Sequence, residues 1–345
     1  MAKNTILSSS GPAFIIAEMS ANHGQDFDRA VKIIEAAHAA GADAIKLQTY
    51  TPDTITLDCD NEYFQIKGTI WEGRTLYDLY GEAFTPWEWH PKLKKVADEL
   101  GLLFFSTPFD HTAVDFLEEL DVPCHKVASF ELVDIPLIRK IASTGKPVIM
   151  STGMATEAEI EEAVAAFKEA GGTEMALLKC TSAYPAPPEE MNLLTIPYLA
   201  KKYDVVAGLS DHTMGIEMPI AAVALGGRVI EKHFCLNRSE DGPDTSFSLE
   251  PHEFKAMVEG VRNVEKALGS VHFELTEKQK SSVVFRRSLF VVKDIAKGEP
   301  LTTENIRSIR PGNGLHTRHL EEVIGKTAVV DIAKGTPLQW DLLTN

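Results

Sequence analysis

Along most of the chain, short apolar and β-branched runs alternate with stretches in which apolar residues recur at helical spacing. The runs at 14–20, 44–50, 103–109, 124–130, 147–153, 175–181, 205–212 and 229–234 predict strands. The stretches at 27–40, 86–100, 157–170 and 251–268 predict amphipathic helices between them. In the first, Ala30, Ile33, Ile34 and Ala37 stand at i, i+3, i+4 and i+7, which lines one helix face for burial. Eight strand–helix units ending near Gly269 predict an α/β fold, a closed (β/α)8 TIM barrel. A doubly wound sheet would also hold eight strands. The barrel is favoured because polar residues stand at the C-terminal tip of almost every strand, where barrels assemble their chemistry.

Two regions depart from this rhythm. Residues 51–85 are too long for an ordinary strand–helix connection and carry Tyr63, Phe64, Trp71 and Tyr77, so they read as a substrate lid or a packed insertion. After Gly269, Asp294-Ile-Ala-Lys-Gly-Glu-Pro-Leu301 returns as Asp331-Ile-Ala-Lys-Gly-Thr-Pro-Leu338, with seven identities in eight positions. Two copies are too few for a solenoid and fit a small pseudo-symmetric β-rich domain. The expected organisation is a barrel over 1–269, a linker over 270–286 and the small domain over 287–345.

A hydrophobic share of 44% and a charged share of 24% are ordinary for a globular protein with a large core. Acidic residues outnumber basic ones, 50 to 34, giving a net charge of −16, and there is no long basic run. No nucleic-acid partner is expected. An anionic small substrate stays compatible, because a few cations in a cleft can dominate the local field. No apolar stretch is long enough for a membrane helix, and the opening residues lack the apolar core of a signal peptide, so a cytoplasmic location is expected. Cys59, Cys124, Cys180 and Cys235 form no CxxC pair and read as free thiols in a reducing compartment.

The strand tips present Glu18 with Asn22 and His23, Lys46 with Gln48, Ser106 with Thr107, and Lys126 with Ser129 and Glu131. Further along come Ser151 and Thr152, Thr181 and Ser182 with Tyr184, Ser210 with Asp211 and His212, and Glu231 with His233. Gly208-Leu-Ser-Asp-His212 is not the GxSxG of a nucleophile elbow, and Gly312-Asn-Gly314 lacks the third glycine of a dinucleotide loop. Hydroxyls and ammonium groups together suit a phosphate or carboxylate. His212 and His233, on adjacent strands, suit a divalent cation of borderline softness, with His23 as a third candidate ligand. A strand histidine on its own is more often a hydrogen-bonded core residue.

Taken in order, several motifs resemble the sialic acid (N-acetylneuraminate) synthase family over nearly the whole chain. They are Ile-Ala-Glu18-x-x-x-Asn22-His23, Lys46-x-Gln48, Ser106-Thr-Pro-Phe109, Lys126-x-x-Ser129-x-Glu131, Ser151-Thr-Gly-Met154, Cys180-Thr181 with Tyr184-Pro185, Gly208-Leu-Ser-Asp-His-Thr213, Glu231-Lys-His-Phe234, Gly242-Pro-Asp244 and Arg286-Arg-Ser288. The opening Ala17-Glu-Met-Ser-Ala-Asn-His23 is most similar to the pseudaminic branch of that family. Ser182 and Lys179 stand where the sialic acid branch often has Asn and His, which points away from N-acetylmannosamine.

The resemblance implies a transferase. It would condense phosphoenolpyruvate with the open-chain aldehyde of an acylated aminohexose and water, giving a nine-carbon 2-keto acid and phosphate. In the pseudaminic branch the sugar is 2,4-diacetamido-2,4,6-trideoxy-altrose. Neuraminate, legionaminic acid and spore-coat synthases are the alternatives within the family, and a non-catalytic sugar-binding barrel is the alternative outside it. The resemblance implies catalytic roles for Glu18, Lys126, Glu131, His212 and His233, with the two histidines holding Mn²⁺, or else Mg²⁺ or Co²⁺. It implies substrate binding by Lys46, Gln48, Thr107, Ser129, Ser151, Thr181, Ser182, Tyr184, Ser210 and Asp244 in the barrel, and by Phe285, Arg287 and Arg310 beyond it. The repeat region resembles an antifreeze-like (SAF) domain. It implies a homodimer in which that domain completes the partner's active site.

Overall fold

The computed structural model describes residues 6–344, in two compact units that divide after Gly269. The first is a closed barrel of eight parallel strands in sequence order. They are β1 (Phe14–Glu18), β2 (Ala44–Thr49), β3 (Leu103–Pro108), β4 (His125–Val127), β5 (Val148–Ser151), β6 (Met175–Cys180), β7 (Val206–Asp211) and β8 (Val229–His233). β8 pairs with β1 from Phe14↔Val229 to Glu18↔His233 and closes the ring. Helix Phe27–Ala40 shows why the outer layer forms. The Asp26 carboxylate accepts the Arg29 amide at its start, and the predicted stripe Ala30, Ile33, Ile34 and Ala37 is buried against the strands. Each fully buried isoleucine contributes about 1.5–3 kcal/mol.

Two expectations change, and one of two open readings is found. The strand expected over 124–130 stops at Val127, and Ser129–Val133 forms a 3-10 turn, because Asp134 caps a helix that begins at Ile135 and draws the chain out of the barrel. The helix expected over 86–100 begins at His90 after a 3-10 turn at Trp87–Trp89, with Pro91 in its first turn, where no amide partner is lost. The 51–85 segment is a packed insertion with helices Pro52–Ile55 and Leu76–Ala83 and a bridge between Gln65 and Thr75. Among the described residues, no helix is long and apolar enough to cross a membrane.

The second unit is built around the repeat. Lys297 N donates to Asp331 Oδ1 at 2.7 Å, and Lys334 N donates to Asp294 Oδ1 at 2.7 Å, so each copy caps the other's turn. Ile295 and Ile332 pair directly, and the core includes Leu289, Val291, Leu301, Ile306 and Leu338. Regular sheet is limited to β9 (Ser288–Val291) and β10 (Ile306–Ile309), which run antiparallel, with single bridges elsewhere. Within 270–286, read from the sequence as a linker, lie a helix at Glu277–Ser282 and a 3-10 turn at Val283–Phe285.

Candidate active site

Polar side chains converge at the C-terminal ends of the barrel strands. Across the ladder, Glu18 on β1 is flanked by Lys46 on β2 and His233 on β8. Gly208 lets β7 approach β8, since a Cβ there would lie 1.9 Å from the Val229 carbonyl oxygen. The approach brings Ser210 Oγ within 3.0 Å of Glu231 Oε1, to which it donates. On the next positions, Asp211 and Lys232 form a fully buried ion pair at 2.5 Å, also bound to Thr213, which ties the two histidine-bearing strands together.

Two buried lysines stand among the strand tips. Lys46 Nζ lies 2.7 Å from Glu18 Oε2 and 3.8 Å from Glu231 Oε2, and donates to Thr107 Oγ1 at 3.1 Å. Lys126 Nζ donates to Ser151 Oγ at 2.7 Å and to the Val127 carbonyl at 2.9 Å. Burial opposes both charges. For Lys46 the Glu18 and Glu231 carboxylates outweigh it and raise the pKa, whereas for Lys126 burial wins and lowers it. The carboxylates divide as well. Burial raises Glu18 despite Lys46, while at Glu231 burial is overcome by Lys126 and Lys46, which hold it below its usual value. One member of the pair therefore keeps a proton more readily than the other.

Beside Lys126 lies a cradle of small groups. A Cβ on Gly153 would meet Ser182 Oγ at 2.3 Å, Ser129 Oγ at 2.8 Å and Cys180 Sγ at 3.2 Å, so the missing side chain keeps these groups free to face an anion's oxygens. The Glu131 carboxyl is also held near Lys126. Burial lifts it to about 7 against the pull of that ammonium group. A carboxyl with a raised folded pKa binds its proton more tightly when folded, so its share of stability is whole below pH 4.5 and is lost as the pH rises through about 7. Glu131→Gln is expected to remove this loss. Its thermal midpoint should exceed the wild type's by roughly 2–5 °C at about pH 8, with the gap closing toward about pH 5. A gap independent of pH would reject burial of a titrating carboxyl here.

The histidines face each other with ring centroids 5.3 Å apart, both buried. His212 Nδ1 donates to the Thr181 carbonyl at 3.0 Å, which leaves Nε2 as the nitrogen not tied to the backbone. Burial opposes the charge of the ring, but the Cys180 thiol and that carbonyl raise its pKa. Burial, with the nearby charges of His212 and Lys46, keeps His233 well below its ordinary pKa, and its buried Nδ1 has no hydrogen-bond partner among the described residues. A neutral imidazole with an unused buried nitrogen, facing a second imidazole, fits a divalent cation of borderline softness. Among the described residues, no group of three or more His, Cys, Asp or Glu gathers around one point. His23, the third candidate ligand, is engaged elsewhere. Its Nε2 pairs with Thr85 Oγ1 at 3.0 Å, its Nδ1 accepts the Gln25 amide, and burial drops it to about 4.

An aromatic and polar wall completes the mouth. The Tyr184 ring lies 4.5 Å from His212 and 5.1 Å from Phe247, and Trp71 of the insertion lies 5.8 Å from Tyr184. Asp244 accepts from the Ser20 hydroxyl, which in turn accepts from Gln48 Nε2 at 2.9 Å. Gln48 also donates to Glu18 Oε1 at 3.1 Å. Thr181 is turned outward, with its hydroxyl shared between Lys179 and the Glu190 carbonyl. Asn22 is structural, its amide nitrogen spent on the Phe234 carbonyl and Ser248. Phe285, Arg287 and Arg310 belong to the second unit and are exposed there, with Arg287 Nη1 donating to the Ser308 carbonyl at 3.1 Å.

The roles assigned from the sequence pass over Glu231, Ser20 and Trp71. Glu231 stands two residues before His233, so strand alternation would place both on one face. Trp71 is marked in the sequence only as one of the bulky aromatic residues of the long 51–85 segment, without a role of its own.

Buried ammonium groups, clustered hydroxyls, carboxyls of divided acidity and paired imidazoles at the mouth of a (β/α)8 barrel define an enzyme acting on a small molecule. The NeuB family profile matches residues 33–273, and the SAF domain profile matches residues 286–344. Pseudaminic acid synthase of Campylobacter jejuni subsp. jejuni serotype O:23/36 is 50% identical over 94% of this chain and 95% of its own. Pseudaminic acid synthase of Helicobacter pylori is 45% identical over 96% of this chain and 97% of its own. The solved N-acetylneuraminic acid synthetase of Leptospira borgpetersenii superposes with a TM-score of 0.72 at 34% identity, covering 82% of this chain and 94% of that one. This chain belongs to the NeuB family, and its relatives are sugar-acid synthases.

Proposed function

We propose that the protein is a pseudaminic acid synthase. It condenses phosphoenolpyruvate with the open-chain aldehyde of 2,4-diacetamido-2,4,6-trideoxy-altrose and water, giving pseudaminate and inorganic phosphate. The observation that carries the substrate is 45–50% identity to pseudaminic acid synthases over nearly the full length of both chains. The convergence of Lys46, Lys126, Glu18, Glu131, His212 and His233 on one barrel face supports the chemistry.

The nucleophile is the enol carbon of phosphoenolpyruvate, which forms a bond to the aldehyde carbon. The aldehyde oxygen takes up a proton, water adds to the former enol-phosphate carbon, and the bond from that carbon to the phosphate oxygen breaks. Lys126, Ser151 and the Ser129–Ser182 cradle hold phosphate, while Lys46 and Thr107 meet the carboxylate; positive charge developing at the reacting carbon is offset by Glu231. Glu18, which keeps its proton more readily, serves proton transfer. Glu131, poised near neutrality, moves the proton of the incoming water. Tyr184, Gln48, Ser210 and Asp244 orient the sugar. His212 and His233 would hold a divalent cation, Mn²⁺ first and Mg²⁺ or Co²⁺ next, and such an ion supplies polarisation of the aldehyde oxygen.

The functional unit of this reading is a homodimer in which Arg310, with Phe285 and Arg287, serves the partner's barrel. It is supported by the exposed apolar residues Phe130, Val133, Met154 and Met214, which ring the strand tips and need a cover. Free cysteines among the described residues accord with a cytoplasmic setting.

Phosphate release from phosphoenolpyruvate, measured against a panel of acylated aminohexoses, tests the function. The diacetamido-trideoxy-altrose should be turned over with the highest kcat/KM. Preference for N-acetylmannosamine would move the assignment to neuraminate synthesis, and no release with any sugar would leave a binding barrel.

A further inference from the structure

The fully buried Asp211–Lys232 ion pair takes no part in the chemistry above, yet it stands beside both histidines. Asp211 and Lys232 are opposite each other at the last paired position of the β7–β8 ladder, and each immediately precedes a histidine, His212 or His233. Strand alternation turns Ser210 and Glu231 to the barrel interior, and Asp211 with Lys232 to the outer face under the helices. Lys232 Nζ lies 2.5 Å from Asp211 Oδ2 and also donates to the Thr213 carbonyl. The Asp211 carboxylate closes the turn, accepting the Thr213 amide at 3.0 Å and the Thr213 hydroxyl at 3.1 Å.

One ammonium group on β8 thus grips the residues on both sides of His212, while its own backbone leads directly into His233. The rings' own bonds do not join these two strands. His212 Nδ1 reaches the Thr181 carbonyl at the end of β6, and the buried His233 Nδ1 has no partner among the described residues. A buried ion pair adds little net stability, because desolvation offsets most of its attraction. Its geometric constraint remains, and paired ligands need their separation held within about half an ångström.

We propose that Asp211, Lys232 and Thr213 are positioning residues, a clamp that sets the separation of His212 and His233 for a divalent cation. The proposal rests on the metal reading given above. It adds that cation affinity is governed by an ion pair on the outer face of the sheet, which touches neither cation nor substrate. Loosening the shell that supports metal ligands weakens binding by about 10–100-fold. Both imidazoles survive such a change, so the loss belongs in the affinity for the cation and not in the capacity to bind it.

Calorimetric titration with Mn²⁺ compares wild type, Lys232→Met, Asp211→Asn, the double variant and Leu117→Ala. Leu117 is fully buried in the last turn of helix His111–Glu119, which leads to the start of β4, so its truncation destabilises the barrel away from the strand tips. Each single clamp variant should weaken Mn²⁺ binding by about 10–100-fold, and the double variant no more than the worse single, because both break one clamp. Leu117→Ala should lower the thermal midpoint and leave Mn²⁺ affinity at the wild-type level. Raising Mn²⁺ should return most of kcat in the clamp variants. Circular dichroism shows which variants fold. Should a clamp single fail to fold, Thr213→Val, which deletes only the hydroxyl contact, should still weaken Mn²⁺ binding. Unchanged Mn²⁺ affinity in the folded clamp variants overturns the proposal, as does an equal loss in Leu117→Ala. A wild type that binds no Mn²⁺ overturns the metal reading and the clamp with it, and that is seen before any variant is made.

Discussion

Replacing His212 or His233 with alanine is expected to lower kcat/KM by ~10³-fold or more, the scale on which a bound cation stabilises a developing alkoxide. Exhaustive chelation of the wild-type enzyme should produce the same loss. Mn²⁺ should restore wild type and leave both variants inactive. Calorimetric titration should find one Mn²⁺ per wild-type chain and none for either variant, with circular dichroism unchanged. The expectation follows from the geometry. His212 is tied through Nδ1 to the Thr181 carbonyl, and His233 is kept neutral by burial with a nitrogen left unpaired. A nitrogen with no partner in a buried site is costly unless a ligand claims it. Full turnover in a preparation stripped of divalent metal would reject the assignment.

The second large effect is rescue by mixing. Alone, His233→Ala and Arg310→Ala are each expected to be inactive. When the two are mixed under conditions that exchange subunits, half of the dimers become heterodimers. If Arg310 serves the partner's barrel, one site in each heterodimer carries both lesions and the other carries neither. Activity should then return to about a quarter of the wild-type level, the statistical limit for one intact site in half the dimers. If Arg310 served its own barrel, every site would keep one lesion and nothing would return. Absence of rescue, with heterodimers shown by mass spectrometry, would end the shared-site reading.

Much of the barrel was legible because its signals are local. The helices at Phe27–Ala40 and Pro251–Leu268 have the predicted limits, since an Asp26 cap, a capping box at Glu250 and a periodic apolar face act within a few residues. The 124–130 run was misread because Phe130 looks like strand material in a window, while the helix cap at Asp134 decides where the chain turns. His23 looked like Asn22-His23 at a strand tip. Only the fold brings Thr85 against its ring, across the whole insertion.

The strand tips, the alternation that puts Glu231 and His233 on one face, and the Asp-Ile-Ala-Lys-Gly repeat were present in the order of residues, because periodicity and turn chemistry are properties of neighbours along the chain. Acidity, tautomer and access were not. Glu18 and Glu231 are both glutamates at strand tips, and they diverge because Lys46 and Lys126 approach them from other strands in a site closed to water. The nearness of Gly153 to two serines, the pairing of His212 with a backbone carbonyl and the reach of Trp71 to Tyr184 likewise join residues far apart in sequence. Such terms depend on distance and dielectric in three dimensions, and only the closed barrel sets those.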